Sequence, residues 1–307
     1  MSKMKLFNID NLSFQHFLDE ESELIPLMTS EDEEAMKNEE IPDELPILPL
    51  RNTVLFPGVV VPITAGRDQS IKLLKDANKG DKTVGVVAQK NEATENPGEK
   101  DIYKIGTVAR ILKILKMPDG NTMVILQGKK RFEIEEIIQE EPYLKAKTKE
   151  LADIIPPKKD VEFKAIIDSV TELSLRIIKE NPNIPTEASF AIKNIQSDTF
   201  LVNFVSSNLN LDTASKQKLL IISDLKERAL ETLKKMNQEL QRLELSNDIQ
   251  SKVREDMDQQ QREYFLHQQM RTIQEELGGV SYDEEIEEMR QKGKKKKWSK
   301  EVAEIFE

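Results

Sequence analysis

Few side chains in this sequence have the type and spacing that chemistry needs. The 307 residues contain no cysteine, so disulfides, thiolate catalysis and Cys-based zinc sites are excluded. The two histidines stand apart, His16 in the acidic N-terminal stretch and His267 inside a long helical run, so no His-based metal cluster or Ser-His-Asp triad is expected. His267 reads as an ordinary residue of a helix surface or seam. A Walker-type nucleotide site needs a glycine loop whose amides cradle phosphates, closed by Lys and Ser or Thr. No Gly-x4-Gly-Lys-Ser/Thr occurs, and Gly278-Gly279 follows a helical stretch instead of opening one. No serine stands on a strained glycine turn, which leaves a Ser–Lys dyad without a placed nucleophile. Carboxylates are plentiful but fall in charge runs, where a solvated face is the default. Lys294–Lys297 beside Trp298 combines phosphate-binding charge with a stacking aromatic. One short cluster on a chain of net charge −11 reads as a solvated turn, and nucleic acid is not expected as a partner. The expectation is no catalytic, cofactor-binding or metal residue in this chain.

Function must then reside in surfaces, and the elements that carry them follow from pattern. Between Asp19 and Glu44 twelve acids stand against Lys37 alone, a charge of −11 that equals the net charge of the whole chain. Residues 1–44 therefore form an acidic tail that buries too little apolar area to offset its ordering entropy, and disorder is expected. The start has no apolar stretch of signal-peptide length, and nothing approaches the roughly 20 apolar residues of a membrane span. A protein of a reducing cytoplasm, with no membrane partner, is expected.

Residues 45–155 change character. Short apolar runs punctuated by Pro and Gly in Leu45–Ile63 indicate strands, with the prolines at strand ends or edges. Ile71, Leu74 and Ala77 share a helical face that Gly80 ends. Thr107–Met117 and Thr122–Gln127 are the arms of a hairpin turned by Pro118-Asp-Gly-Asn121, and Arg131–Ile137 and Tyr143–Lys149 alternate as half-buried strands do. The fold class is α+β: a small, mainly β domain forming a curled sheet or partial barrel, then a helical bundle over 156–222. There Phe163, Ile166, Ile167, Val170, Leu173 and Ile177 keep helical spacing, Pro185 is placed to open a second helix, and Asp198 to cap a third.

Residues 223–278 read as one very long, coiled-coil-like helix. Asp224 caps it with Glu227 three residues on, and no Pro or Gly interrupts it before Gly278, a run of about 54 residues or roughly 80 Å. Ala229, Leu233, Met236, Leu240 and Leu243 alternate steps of four and three, the heptad spacing of an assembly seam. The register slips near Leu245–Ile249, and a second seam runs through Leu266, Met270, Ile273 and Leu277. Pairing between subunits is the preferred reading of the first seam, with packing inside the chain as the alternative. Met257, Tyr264, Phe265 and Met270 are the candidate substrate-contact residues, since adaptable apolar side chains on a projecting helix suit unselective recognition, with core or seam packing as the default use of each one taken singly. Residues 279–307 read as two short helical pieces, one with Ile286 and Met289, the other with Val302, Ile305 and Phe306. The pattern stops without a C-cap, so a continuation beyond Glu307 is expected.

Three stretches are more specific. Leu45-Pro-Ile-Leu-Pro-Leu-Arg-Asn-Thr-Val-Leu-Phe-Pro-Gly-Val-Val-Val-Pro-Ile63 resembles the opening of the N-terminal domain of Lon, the ATP-dependent serine protease also called protease La. The hairpin Ile105–Gly120 is similar to the same family. So is Gln261-Arg-Glu-Tyr-Phe-Leu-His-Gln-Gln-Met-Arg-Thr-Ile-Gln-Glu-Glu-Leu-Gly278, apart from His267-Gln268, where the family more often has Arg-Glu. The resemblance implies a PUA-like β domain, a helical bundle and a long helix leading to an ATPase ring in a cytoplasmic homohexamer. It also implies capture of unfolded or damaged proteins. ATP and Mg, with the catalytic serine and lysine, would belong to domains after Glu307. A stand-alone adaptor or chaperone that dimerises through its long helix is the alternative.

Overall fold

The computed structural model describes Glu33, Met36 and residues 38–117, 121–157, 159–276, 282–296, 298 and 302. The acids before Glu33, the Asp119-Gly120 turn, Gly278-Gly279 and the Ile305-Phe306 pair lie outside the described residues. The chain divides into two compact units, Met1–Glu244 and Leu245–Glu307.

The first unit opens with six strands: β1 (Glu44–Leu50), β2 (Val60–Ala65), β3 (Thr83–Ala88), β4 (Ile105–Lys116), β5 (Thr122–Gln139) and β6 (Lys145–Glu150), with helix α1 (Asp68–Lys79) between β2 and β3. Their order is β2-β5-β4-β3-β1-β6, and β6 also pairs with β5. Five strands thus close on themselves, which removes the open edges of a flat sheet. Only the β1–β3 pairing is parallel among the described strands. The long β5 makes closure possible: its first half carries β2, and its second half, from Phe132, carries β6. Sequence reasoning split this strand in two at Gly128–Lys130. The β4–β5 ladder runs across the split, with bulges absorbing the change of direction.

The prolines of β1 were expected at a strand end or edge, yet β1 lies inside the sheet. Ile47 N donates to Leu144 O of the β6 side. Pro49, two residues on, aims its nitrogen the same way, but the β6 ladder ends at Pro46. Pro46 aims toward β3, whose ladder starts only at Ile47. Each proline sits where no partner needs its missing N–H. The buried apolar side chains of the barrel and of α1 fall into two clusters, which take alternate residues of the same strands, as Ile47 and Leu48 of β1 do. Leu48, Leu74, Val84, Ala109 and Leu126 belong to one, and Leu45, Ile47, Phe132, Ile134 and Ala146 to the other. At Gly106 the fit is close: a Cβ would fall 2.2 Å from the Val86 carbonyl oxygen.

Helices α2 (Val161–Glu180), α3 (Ala188–Asn194), α4 (Asp198–Asn208), α5 (Thr213–Ile221) and the first part of α6 (Leu225–Glu276) form the bundle. Side-chain caps start four of them: Asp160 accepts from Phe163 N, Ser197 from Phe200 N, Asp212 from Ser215 N, and Asp224 from Lys226 N and Glu227 N. Ser197, not the expected Asp198, caps α4, because a cap must keep extended backbone and Asp198 is already helical. Likewise α3 begins at Ala188, three residues after Pro185. The bundle core joins Phe163, Ile167, Val170 and Ile177 of α2 to Leu201 and Val205 of α4 and to Leu225, Ala229, Met236 and Leu240 of α6. The second unit contains the remainder of α6 and α7 (Tyr282–Lys294).

Candidate functional site

Two features bear on function: a buried polar joint that sets the barrel against the bundle, and the apolar residues of α6. In the joint, Phe56, Val59 and Ala88 of the barrel pack with Phe200, Leu219 and Leu220 of the bundle. Two fully buried arginines sit beside them. Arg131 of β5 donates to Leu220 O at 2.8 Å and to Ile221 O and Ile222 O at 3.3 Å, where α5 ends. Arg228 of α6 donates to Asn203 Oδ1 at 2.9 Å and to Ile222 O. Both guanidiniums reach the same Asp153 oxygen, each at 2.5 Å. One carboxylate does not neutralise two cations, and the negative end of α5 supplies the remainder through its carbonyls. Burial, and then the neighbouring Arg228, lower Arg131 to about 10, against the opposing pull of Asp153. Asn203 Nδ2 donates to Pro57 O and Gln217 Nε2 to Ile105 O, adding two bonds from the bundle to the barrel. Nothing in the sequence pattern marks this joint, since its bonds join residues up to 146 positions apart.

The seam residues of α6 are covered from within the chain. Met236 is fully buried, Leu240 nearly so, and Leu233 and Leu243 pack partly buried on the same bundle core. The expected seam between subunits is therefore replaced, at these four positions, by packing on α2 and α4. Heptad spacing gives one apolar stripe whichever helices cover it.

Beyond Glu244 the same helix changes its relation to solvent, and every described residue of 248–273 is exposed. The predicted contact residues lie here: Met257 is 64% exposed, Tyr264 69%, Phe265 60% and Met270 53%. At about 100° per residue they do not form one patch. Met257 and Tyr264 share a face with Val253. Leu266 and Ile273 lie nearly opposite, Met270 stands about 120° round the helix from Tyr264, and Phe265 falls between the two faces on the other side. Leu245, Ile249 and Val253 extend the exposed series back along the helix. Their steps of four drift out of a heptad. Two narrow apolar faces on one helix can engage an extended chain from either side, through side chains of which Met is the most adaptable. Among the described residues no three His, Asp or Glu side chains converge to hold a metal. No helix there is long and apolar enough to cross a membrane.

Comparison with known proteins agrees with this architecture. A Lon protease of Flavobacterium johnsoniae is 67% identical over 307 residues, which is all of this chain and 38% of that protein. A Lon protease of Cytophaga hutchinsonii is 50% identical over 285 residues, 93% of this chain and 35% of its own length. The chain thus spans little more than a third of these relatives. Among solved structures, the N-terminal domain of a Mycobacterium avium complex Lon protease superposes with a TM-score of 0.53 at 20% identity, covering 63% of this chain and 98% of that one. At that identity the likeness concerns the fold. Residues 44–238, from the first strand of the barrel into α6, match the ATP-dependent protease La (LON) substrate-binding domain, and the chain belongs to that family.

Proposed function

We propose that this chain is the substrate-recognition and assembly region of an ATP-dependent protease that degrades unfolded, damaged or regulatory proteins in the cytoplasm. The observation that carries the reading is the distal half of α6. There nine apolar side chains, from Leu245 to Ile273, are each more than half exposed. Such a concentration on a soluble surface marks an interaction site. Family membership points the same way. An unfolded polypeptide offers apolar side chains without fixed geometry, and Met257, Met270, Tyr264 and Phe265 adapt to them by rotamer. The closed barrel and its arginine joint hold the start of α6 fixed.

Hydrolysis of ATP and of peptide bonds is assigned to other parts of the whole protein, a homohexamer in this reading. This chain has no phosphate loop to hold ATP and Mg. The test is direct. The purified chain should bind a labelled, permanently unfolded model protein in fluorescence anisotropy and ignore the native form of that protein. It should turn over neither ATP nor casein. Equal binding of the native form, or none of the unfolded one, defeats the proposal.

A further inference from the structure

The first half of β5 lies between β4 and β2, in a part of the sheet that does not close. β3 leaves β4 at Lys82. Ile111 N donates to Lys82 O at 2.8 Å, and Lys82 itself takes a φ of 60°, which turns the chain off the line of the strand. Among the described residues no strand lies on that side of β4 from Leu112 to Lys116. The other side of this stretch pairs with β5 as far as Met117, whose N–H donates to Asn121 O at 2.9 Å. Bonded and non-bonded pairs alternate in an antiparallel ladder, so the bonds to β5 fall at Leu115 and Lys113. The N–H and C=O groups of Ile114 and Lys116 then point to the open side. β2 is the other open edge. Since β5 bonds β4 through Met123 and Ile125, it meets β2 through Val124 and Leu126, opposite Ile63 and Val61. Pro62 between them faces outward and offers no N–H, which protects that edge. No proline protects β4.

We infer that the open edge of β4 receives an extended acidic peptide as an added strand, on the line that β3 leaves at Lys82. In strand addition the main-chain bonds supply attachment and alternate side chains supply selection. Charge sets the selection here. Arg110, Lys113 and Leu115 pair with Gln127, Ile125 and Met123 and so share the outer face of the sheet. Ile114 turns the other way, against the apolar cluster of Leu48, Leu74 and Val124. A strand that alternates acidic and apolar residues sets its acids beside Arg110 and Lys113 and its apolar side chains beside Ile114. Lys82, Arg110, Lys113 and Lys116 are all exposed. Asp81, the acid beside Lys82, accepts from Thr83 N at 3.0 Å. Like charges along the edge oppose pairing with a second copy of the same strand, and they favour an acidic partner. The edge belongs to the barrel, and the inference stands whether or not α6 binds unfolded proteins.

The experiment uses the full chain and a fluorescein-labelled peptide of about ten residues that alternates glutamate and valine. Anisotropy should show saturable binding that a lysine–valine peptide of the same length lacks. Raising salt from about 50 to about 300 mM should weaken it. Lys113→Glu together with Lys116→Glu should weaken it at least about tenfold. The melting temperature should stay the same, since both side chains are exposed. Amide hydrogen exchange then locates the peptide. With peptide at about ten times its dissociation constant, the Ile114 and Lys116 amides should exchange about tenfold more slowly, because only the small free fraction exposes them. Should the double variant fail to fold, exchange in the unaltered chain still decides. Binding that leaves those two amides unchanged places the peptide elsewhere and overturns the inference. So does no binding, or equal binding of the lysine–valine peptide. Slowing that grows with protein concentration in the absence of peptide would put a second copy on the edge, and overturns it too.

Discussion

Truncation of the α6 stripe separates packing inside one chain from packing between chains. Met236 is fully buried and Leu240 is 4% exposed, and both face the α2 and α4 side chains of their own bundle. Met236→Ala or Leu240→Ala removes most of a buried side chain and leaves a cavity that a closely packed bundle relaxes only in part. The cost of each is about 2–5 kcal/mol. The positions are one helical turn apart and share neighbours, so the double variant should cost less than the sum. Even so, its loss approaches the roughly 5–15 kcal/mol that holds a typical protein folded. For a unit of this size each kcal/mol lowers the melting temperature by about 2–4 °C. Each single variant should therefore melt roughly 5–15 °C lower, with a matching fall in the urea midpoint. Mass by light scattering should not change until unfolding begins. Unaltered melting with a lower mass would refute the reasoning, because it would place the stripe between subunits. No change in either would place it in solvent.

The joint and the helix caps give two more tests. Arg228→Ala strips Asn203 Oδ1, Asp153 and Ile222 O of a buried donor, and should cost about 3–5 kcal/mol in urea unfolding; a loss under 1 kcal/mol would show that the joint is solvated. Asp160 is held below its usual value first by the Phe163 N–H and then by Lys226. A carboxyl lowered in the folded state stabilises above its unfolded value near 3.8 and loses that contribution as pH falls through the folded one. Asp160→Asn should therefore be less stable than the parent near pH 7 and lose less on acidification below about pH 4. Parallel pH–stability curves for the two proteins would contradict this.

Periodicity carried much of the architecture. Alternation and turn residues located the strands, and the apolar spacing of Phe163–Ile177 and Ala229–Leu243 located α2 and the buried face of α6. The features that escaped are those decided by distant partners. A heptad stripe reads the same whether covered by a subunit or by α2 and α4. Arg131 and Arg228 look like surface cations in sequence, because their burial depends on Asp153 and on carbonyls at the end of α5. The burial of Met36 was hidden by its charged neighbours, and β5 by a Gly-Lys-Lys interruption that its ladder with β4 simply crosses. The four candidate contact residues on α6 read equally as core or seam positions in sequence; their exposure is decided by the absence of a covering element among the described residues.

The central claim, that the exposed faces of distal α6 bind unfolded polypeptide, is tested most directly by placing charges on them. The variant Met257→Asp, Tyr264→Asp and Met270→Asp alters both faces at positions that are each more than half exposed. Its melting temperature should match the parent's, while its affinity for a labelled unfolded protein in fluorescence anisotropy should fall at least tenfold, which corresponds to about 1.4 kcal/mol. Undiminished affinity with intact folding would contradict the account and move the recognition surface elsewhere on the chain.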